Sequence, residues 1–425
     1  MAVNVMAKPD PPFAARILES LRGGIPPQRG VELYSVGNEE LMNGICRLHL
    51  DGLRNGGRIR FISGSWGAGK THFFRLLADK SFQRGCLVSN VELRVDDAPL
   101  NKFERVLFSI IRNISIPTNP MDDQQVAVPF RQVIEAALQR LGNPHRAEQP
   151  IRQTFLTAQT AFAGHQGIDI DFKKIVLAYW QTYVAEDADP VELETQREEL
   201  LQWFAGEGTI GTYRKKYNVN KMASRENARL LLQSLVRFAQ EAGFEGIIVL
   251  FDEAEGAYST MRKSALKDAH NNLLSLINNM DKIPGLFMVY ATTPDFFTDP
   301  KHGIIVYGAL AQRIGKAEDK IPSALDIVWN FDKLQSTMED YCKAAQKIHA
   351  LYELGFPEAR DRLGSPAELV PLVQEWVKGH GPFHAVRAWR VVVSATVKYL
   401  DDRVEGRSAS ASAVYQDVMK RLRDQ

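Results

Sequence analysis

The chain has 425 residues, of which 45% are hydrophobic and 24% charged, and its formal net charge is +1 at pH 7. This length accommodates one large domain or two to three ordinary ones, and the composition excludes wholesale disorder. The longest apolar runs, such as Gly246–Phe251, are far shorter than the roughly 20 residues that a membrane span needs, so we expect a protein that stays in water.

Two further features bear on the compartment and on partners. The N-terminus has no basic segment followed by an apolar core, so no signal peptide is predicted. Three widely spaced cysteines, Cys46, Cys86 and Cys342, indicate neither a disulfide framework nor a zinc site. We therefore expect a cytoplasmic protein. A net charge near zero gives no global reason to expect nucleic acid, although it is compatible with a local basic face.

The predicted elements alternate between strands and helices. Residues 1–57 are predicted to be an N-terminal helical segment, because apolar residues recur at helical spacing and pairs of glycines end the runs. A mostly helical insertion is predicted at about 96–227, and residues 332–425 are predicted to be a helical lid. The predicted strands are, in chain order, 58–63, 86–93, 246–253, 286–293 and 326–331. The pattern indicates an α/β fold whose core, residues 58–331, is a parallel sheet flanked by helices.

A glycine-rich motif follows the first strand and opens a helix. Gly64, Gly69, Lys70 and Thr71 have the spacing of a phosphate-binding loop. In such a loop the backbone amides and the helix N-terminus surround a triphosphate, the lysine reaches the β- and γ-phosphates, and the threonine hydroxyl binds Mg²⁺. The predicted ATP-binding residues are Gly64, Ser65, Trp66, Gly67, Ala68, Gly69, Lys70, Thr71 and His72. The alternatives are a glycine-rich turn that matches by chance and, for His72, a residue that only packs at the helix start.

Two carboxylates follow the apolar strand 246–253. Parallel sheets place their ligands at the carboxyl ends of the strands, where Asp252 would hold Mg²⁺ and Glu253 would orient or deprotonate water. The alternative is an exposed acidic loop, and Glu255 is as compatible with a structural role as with a catalytic one. The pair predicts hydrolysis rather than nucleotide binding alone.

Further candidates are polar residues beyond the next strand. Thr292 and Thr293 end that strand and would contact the γ-phosphate or the attacking water, or else only cap the strand. Arg313 is placed to reach the nucleotide of a neighbouring subunit, and Arg387 would reach the phosphates from the lid, with Arg390 as its rival. Both arginines compete with ordinary salt bridges.

Two other patterns are weaker. The segment "TYRKKYNVNK" places Arg214, Lys215, Lys216 and Lys221 beside two tyrosines, a mixture that can bind nucleic acid but is more typical of a solvated face. His380 and His384 are four residues apart, but the Gly and Pro between them disfavour a helical metal pair.

With these residues placed, the chain resembles AAA+ ATPases of the origin-recognition-like branch, and within it the BREX-type ATP-binding proteins of bacterial phage defence, the BrxD family. Most of the chain outside the insertion and the far C-terminus shares this likeness. The segments that carry it are "PPQRGVELYSVGNEEL", "RIRFISGSWGAGKTHFFRLL", "CLVSNVELRVDDAPLNKFERVLFSIIRNI", "NARLLLQSLVRFAQEAGFEGIIVLFDEAEG" and "ATTPDFFTDPKHGIIVYGALAQRI". The last two are the most specific, because a generic phosphate-loop protein has no reason to carry "TPDFF" followed by "YGALAQR".

The resemblance implies an ATP-dependent switch or motor in phage defence that acts as an oligomer and engages either double-stranded DNA or other components of the system. Three departures weaken parts of this implication. Trp66 stands in the loop where the family more often has "YGSG", threonine replaces the usual asparagine at the sensor position, and too few residues follow the lid for a winged-helix DNA-binding module.

The principal hypothesis is an ATPase that uses MgATP. A nucleotide-gated scaffold with negligible turnover, which recruits a defence effector, is the alternative from another class. A phosphate-loop kinase is a third, disfavoured by the acidic pair and the helical lid.

Overall fold

The computed structural model describes residues 9–94, 97–116, 129–145, 149–186, 188–254, 258, 261–380, 388–408 and 410–423. Within these residues the chain is α/β, with a six-stranded sheet in the order β3-β2-β4-β5-β1-β6. The strands are β1 Arg58–Ser63, β2 Leu87–Glu92, β3 Ile114–Ser115, β4 Ile247–Asp252, β5 Leu286–Thr292 and β6 Val328–Asn330. This confirms the predicted α/β class, and each predicted strand is present with boundaries that differ by at most two residues.

Every pairing in the sheet is parallel except that of β2 with β3. The antiparallel strand β3 was not among the predicted ones. It follows helix α4, Phe103–Arg112, so directly that the chain runs back along β2 for two residues. A two-residue strand has no periodicity, which is why no sequence pattern indicates it.

Helices cover both faces of the sheet. In the part of the chain that precedes β4 they are α1 Pro11–Arg22, α2 Glu39–Ile45, α3 Lys70–Phe82, α4 Phe103–Arg112, α5 Pro129–Gly142, α6 Ile151–Ala163, α7 Ile170–Gln181, α8 Pro190–Phe204, α9 Ile210–Tyr217 and α10 Ala228–Glu241. After β4 they are α11 Lys263–Asn279, α12 Asp295–Thr298, α13 Gly308–Ile314, α14 Met338–Gly355, α15 Arg360–Leu363, α16 Leu369–Gly379, α17 Ala388–Val404 and α18 Ala411–Arg423.

The two faces of the sheet belong to different apolar clusters. Alternate residues such as Phe61 and Val249 pack with the helices that lie between β2 and β4 and with α11. Their neighbours Ile62 and Ile248 pack with α1, α2, α3 and α14 on the other face. Because both faces are buried, β4 and β5 are continuous apolar runs that bring only their carboxyl ends to a polar environment.

The register of the strands aligns these carboxyl ends. Ser63 at the end of β1 is opposite Thr292 at the end of β5, and Glu92 at the end of β2 is opposite Asp252 at the end of β4. Everything that the loops after β1, β4 and β5 carry therefore lies along one edge of the sheet. None of the helices in the described ranges is both long and apolar enough to cross a membrane.

Candidate nucleotide-binding site

The loop between β1 and α3 requires its glycines for separate reasons. Gly67 and Gly69 have φ angles of 75° and 89°, in the left-handed region that favours glycine. A Cβ at Gly64 would lie 3.1 Å from the Cβ atoms of both Ala68 and Phe331, so a side chain there would be crowded unless these neighbours shifted. The loop therefore favours glycine at two positions for conformation and at a third because of close packing.

The loop delivers the N-terminus of α3 to the edge of the sheet. Gly69 is the N-cap residue and has no side chain to satisfy the first amides of the helix. Among the described residues, no backbone or side-chain acceptor takes a hydrogen bond from the amides of Thr71 and His72. Unsatisfied first-turn amides and the positive end of the helix dipole together form an anion-binding site.

Lys70 folds its side chain over this loop. The residue is 9% exposed, and its Nζ donates to the carbonyl oxygens of Gly64 at 2.7 Å and Ser65 at 3.3 Å. The ammonium also lies 5.8 Å from the centroid of the Trp66 ring, which is itself 68% exposed. A positive charge is thus held within the loop, where phosphate oxygens would replace the carbonyl contacts.

Asp252 and Thr71 meet at the mouth of the loop although 181 residues separate them in sequence. The Thr71 hydroxyl donates to Oδ2 of Asp252 at 3.0 Å, and the backbone amide of Glu253 donates to Oδ1 of the same carboxylate at 3.0 Å. Glu253 has a φ of 54°, an uncommon conformation for a residue other than glycine. Such backbone strain concentrates at functional sites, and here it turns the chain directly after the Asp252 carboxylate.

The two threonines at the end of β5 differ in their surroundings. Thr292 is fully buried, and its hydroxyl donates to the carbonyl oxygen of Ile62 at 2.9 Å, which matches the alternative of a strand-end threonine. The backbone amide of Gly64 donates to the Thr292 carbonyl oxygen at 3.1 Å, so the end of β5 supports the loop. Thr293 is 8% exposed, and its hydroxyl has no hydrogen-bond partner among the described residues. Of the two, Thr293 remains the candidate for contact with phosphate or water.

The two predicted arginines that the structure describes, Arg313 and Arg390, make no hydrogen bond to Thr71 or Asp252. Arg313 lies on α13, is exposed, and makes no hydrogen bond or ion pair within the described part of the chain. Arg387 lies outside the described residues, as does Glu255. Arg390 is exposed, and its Nε donates to the carbonyl oxygen of Gly24 at 3.4 Å, in the turn after α1 rather than in the loop.

Two residues near the site were missed by the sequence analysis. The carboxylate of Asp332 accepts from the Ser65 amide at 3.0 Å and from the Ser65 hydroxyl at 2.8 Å. Arg75 lies one helical turn after Thr71, and burial lowers its pKa against the opposing charges of Asp252 and others. The spacing of four residues from Thr71 is a signal that predicts Arg75 on the same helix face. A single aspartate 267 residues from its partner has no such signal.

The ring of His72 contacts the N-terminal segment of the chain. Both ring nitrogens are within hydrogen-bond distance of hydroxyl groups in the N-terminal segment, at 3.3 Å from Tyr34 and 3.0 Å from Ser35. The ring is therefore not a lining group of the phosphate loop.

The basic segment on α9 is only partly free. Lys216 pairs with Glu199 at 2.5 Å, and Tyr213 is buried. Arg214 and Lys215 are exposed and have no ion-pair partner in the described ranges. Of the other weak pattern, His380 is buried with its Nδ1 3.0 Å from the Tyr415 hydroxyl, while His384 lies outside the described residues.

Comparison with known proteins identifies the family of this chain. The family model described as BREX system ATP-binding protein BrxC/D matches residues 11–418. No curated protein and no solved structure matches the chain. The matched range includes the phosphate loop, the Asp252 carboxylate and every strand of the sheet. A match over nearly the whole chain shows that the protein belongs to the BREX system ATP-binding protein BrxC/D family.

Proposed function

We propose that the protein binds MgATP and hydrolyses it as an AAA+ ATPase in anti-phage defence. The observation that carries the proposal is the 3.0 Å hydrogen bond between the Thr71 hydroxyl and Asp252. It joins the phosphate loop to the carboxylate end of β4, so that a phosphate-binding group, a metal-binding group and the neighbouring Glu253 share one edge of the sheet.

The residues present suit Mg²⁺. A hydroxyl and a carboxylate already in contact provide hard oxygen ligands, and Mg²⁺ usually binds proteins through one or two such groups together with substrate phosphates. The described residues contain no group of three or more His, Cys, Asp or Glu that would hold a metal by themselves, so phosphate oxygens would complete the shell. Mg²⁺ bound with ATP would neutralise charge that develops on the phosphate oxygens.

Glu253 is the group to orient the attacking water. It is exposed at the carboxyl end of β4, next to Asp252. The hydrogen bond from its backbone amide to the Asp252 carboxylate fixes the backbone from which the Glu253 side chain extends. A positioned carboxylate contributes typically about 10²–10⁴-fold to such a reaction. Thr293, unpartnered at the end of the adjacent β5, would contact the γ-phosphate or this water.

Two features support the AAA+ assignment and a neighbouring copy. Strand β5 lies between β1 and β4, so the phosphate loop and the acidic pair flank a third strand end. Arg313 is exposed and unpaired among the described residues, and the turn that precedes its helix exposes Ile305 by 56% and Val306 by 51%. Exposed apolar side chains beside an uncompensated arginine suit a contact with a second copy, whose nucleotide Arg313 would reach.

Hydrolysis is tested with two site variants and two matched surface variants. Glu253→Gln is expected to bind ATP and to lose at least about 100-fold in kcat, whereas Glu207→Gln, at an exposed glutamate outside the site, retains it. Lys70→Ala is expected to lose ATP binding, whereas Lys267→Ala retains it. Wild-type turnover in Glu253→Gln refutes its assigned role, and unchanged ATP affinity in Lys70→Ala refutes the site.

The nucleotide-gated scaffold is the outcome if wild-type protein binds ATP but shows no turnover, with or without double-stranded DNA.

DNA association itself is tested by exchanging Arg214 and Lys215 together for alanine. We expect this to weaken DNA binding and its salt dependence, since each lost phosphate contact lowers the slope of log K against log salt by about 0.9. DNA affinity equal to that of the wild type assigns the basic segment to a solvated face.

A further inference from the structure

The first turn of α3 is bonded to the N-terminal segment through the ring of His72. Its Nδ1 lies 3.3 Å from the Tyr34 hydroxyl, its Nε2 lies 3.0 Å from the Ser35 hydroxyl, and the Tyr34 ring meets it edge-on with centroids 5.4 Å apart. Hydrogen bonds are directional, so two of them on different nitrogens of one ring hold the imidazole in one orientation.

The same N-terminal segment is bonded to the C-terminal helices. Lys347 on α14 donates from Nζ to the carbonyl oxygen of Ser35 at 2.8 Å. A Cβ at Gly37 would lie 3.5 Å from Cγ of Asp340, which is in the first turn of the same helix. Residues 34–37 therefore lie between α3 and α14, and Ser35 contacts both.

The hydrogen bond from Lys347 to Ser35 fixes the position of α14 relative to residues 34–37 and contributes little electrostatic attraction. Within the described part of the chain its ammonium has a neutral carbonyl as hydrogen-bond partner and no carboxylate, whereas Lys343, one turn earlier on α14, pairs with Glu339 at 2.6 Å. A hydrogen bond of 2.8 Å is lost when its partners separate by about 1 Å. The Lys347–Ser35 hydrogen bond therefore forms only when α14 lies in its present position.

We propose that His72 is a positioning residue that couples the placement of α14 to the phosphate loop. The path has two steps, from the His72 ring to the Ser35 hydroxyl and from the Ser35 carbonyl oxygen to Lys347. The proposal rests on the proposed function, because Thr71, the residue before His72, carries the hydroxyl assigned to the metal. When α14 is displaced, Ser35 releases the ring and the first turn of α3 loses the orientation that aims its amides and the Thr71 hydroxyl.

The kinetic test uses the full chain and compares three variants. His72→Phe keeps a ring of similar size and removes both hydrogen bonds, Lys347→Met removes the contact from α14, and Lys343→Met is the matched control on the same helix. We expect the first two to lower kcat by about tenfold with KM for ATP within about twofold, and the double variant to lose no more than either single one. Lys343→Met is expected to behave as the wild type.

Two further variants separate hydrogen bonding from packing. Ser35→Ala removes the hydroxyl and keeps the carbonyl oxygen for Lys347, so it reproduces the kcat loss even if His72→Phe does not fold. His72→Gln keeps one donor and one acceptor and is expected to recover part of the activity. Wild-type kcat in Ser35→Ala overturns the proposal, as does an additive loss in the double variant.

The spectroscopic test needs no nucleotide. Histidine labelled with ¹⁵N in the ring gives a signal for His72 that is identified by its absence from His72→Phe. We expect this signal to shift in Lys347→Met and not in Lys343→Met, since the hydrogen-bond partner of the ring is released. An unchanged signal in Lys347→Met overturns the coupling. If the wild type shows no turnover, the proposed hydrolysis fails, and this spectrum alone decides the coupling.

Discussion

Gly69 allows a quantitative test of the phosphate loop. Its φ of 89° is in the left-handed region, and a Cβ added there would meet no atom within 4 Å, so the cost of Gly69→Ala is conformational. An L-residue pays about 1–2 kcal/mol in this conformation. If the free loop of the variant relaxes to a negative φ, the left-handed conformation must be restored when phosphate binds. This costs the same ~1–2 kcal/mol and weakens ATP affinity by roughly 5- to 30-fold.

Gly85 provides the matched control for this substitution. It has a φ of 73°, it also has nothing within 4 Å of an added Cβ, and it lies beyond the other end of α3. In a chain of this length a loss of about 1 kcal/mol lowers the melting temperature by about 1 to 2 °C, so both variants are expected to remain folded.

The assay is calorimetric titration with ATP, and the melting temperatures show that both variants are folded. We expect the dissociation constant to rise in Gly69→Ala and to equal the wild-type value in Gly85→Ala. Equal affinities in the two variants refute the assignment of Gly69 to the phosphate loop. A loss in both assigns the effect to general destabilisation.

Three further predictions concern the loop, the end of β5 and buried histidines. Trp66 is 68% exposed, so its fluorescence is expected to change when ATP is added. The variant Trp66→Phe should lose this fluorescence change and still bind ATP in calorimetry. A fluorescence change that persists in the variant comes from another tryptophan. Thr293→Val is expected to lower kcat with little change in melting temperature, whereas Thr292→Val removes a buried hydrogen bond worth about 1–2 kcal/mol and lowers the melting temperature; the reverse pattern contradicts the assignment. Burial lowers the pKa of His49 and of His270 from 6.5 to about 4. As the pH falls, the unfolded chain therefore binds protons at these residues before the folded chain does. The free energy of unfolding keeps its full value above pH 6.5 and decreases between pH 6.5 and about pH 4. Urea unfolding should show this fall, with a smaller slope in His270→Phe; an equal slope removes His270 as a cause.

The local patterns in the sequence were sufficient for much of the fold. The glycine spacing of the loop, the apolar runs of β4 and β5 and the carboxylates that follow β4 are all properties of neighbouring residues, and the structure places them as strand, loop and helix. The family match over residues 11–418 confirms the resemblance to the BREX ATP-binding proteins. The roles of the site residues stay predictions.

Pairing between strands decided what local patterns left open. Thr292 and Thr293 are equivalent candidates in sequence, and only the parallel pairing with β1 buries the first against the Ile62 carbonyl oxygen. The antiparallel β3 arises in the same way, from how the chain reverses after α4. A register belongs to two segments at once, so it has no signature in either one.

The sequence by itself determined that a phosphate loop and an acidic strand end exist, because each is encoded within about ten adjacent residues. Only the tertiary structure decided that Thr71 and Asp252 share a hydrogen bond, that Asp332 holds Ser65, and that Ser35 lies between His72 and Lys347. These contacts join residues 37 to 312 positions apart. Hydrophobic periodicity specifies which face of an element is buried, but the neighbour across that face is chosen by the packing of the whole core.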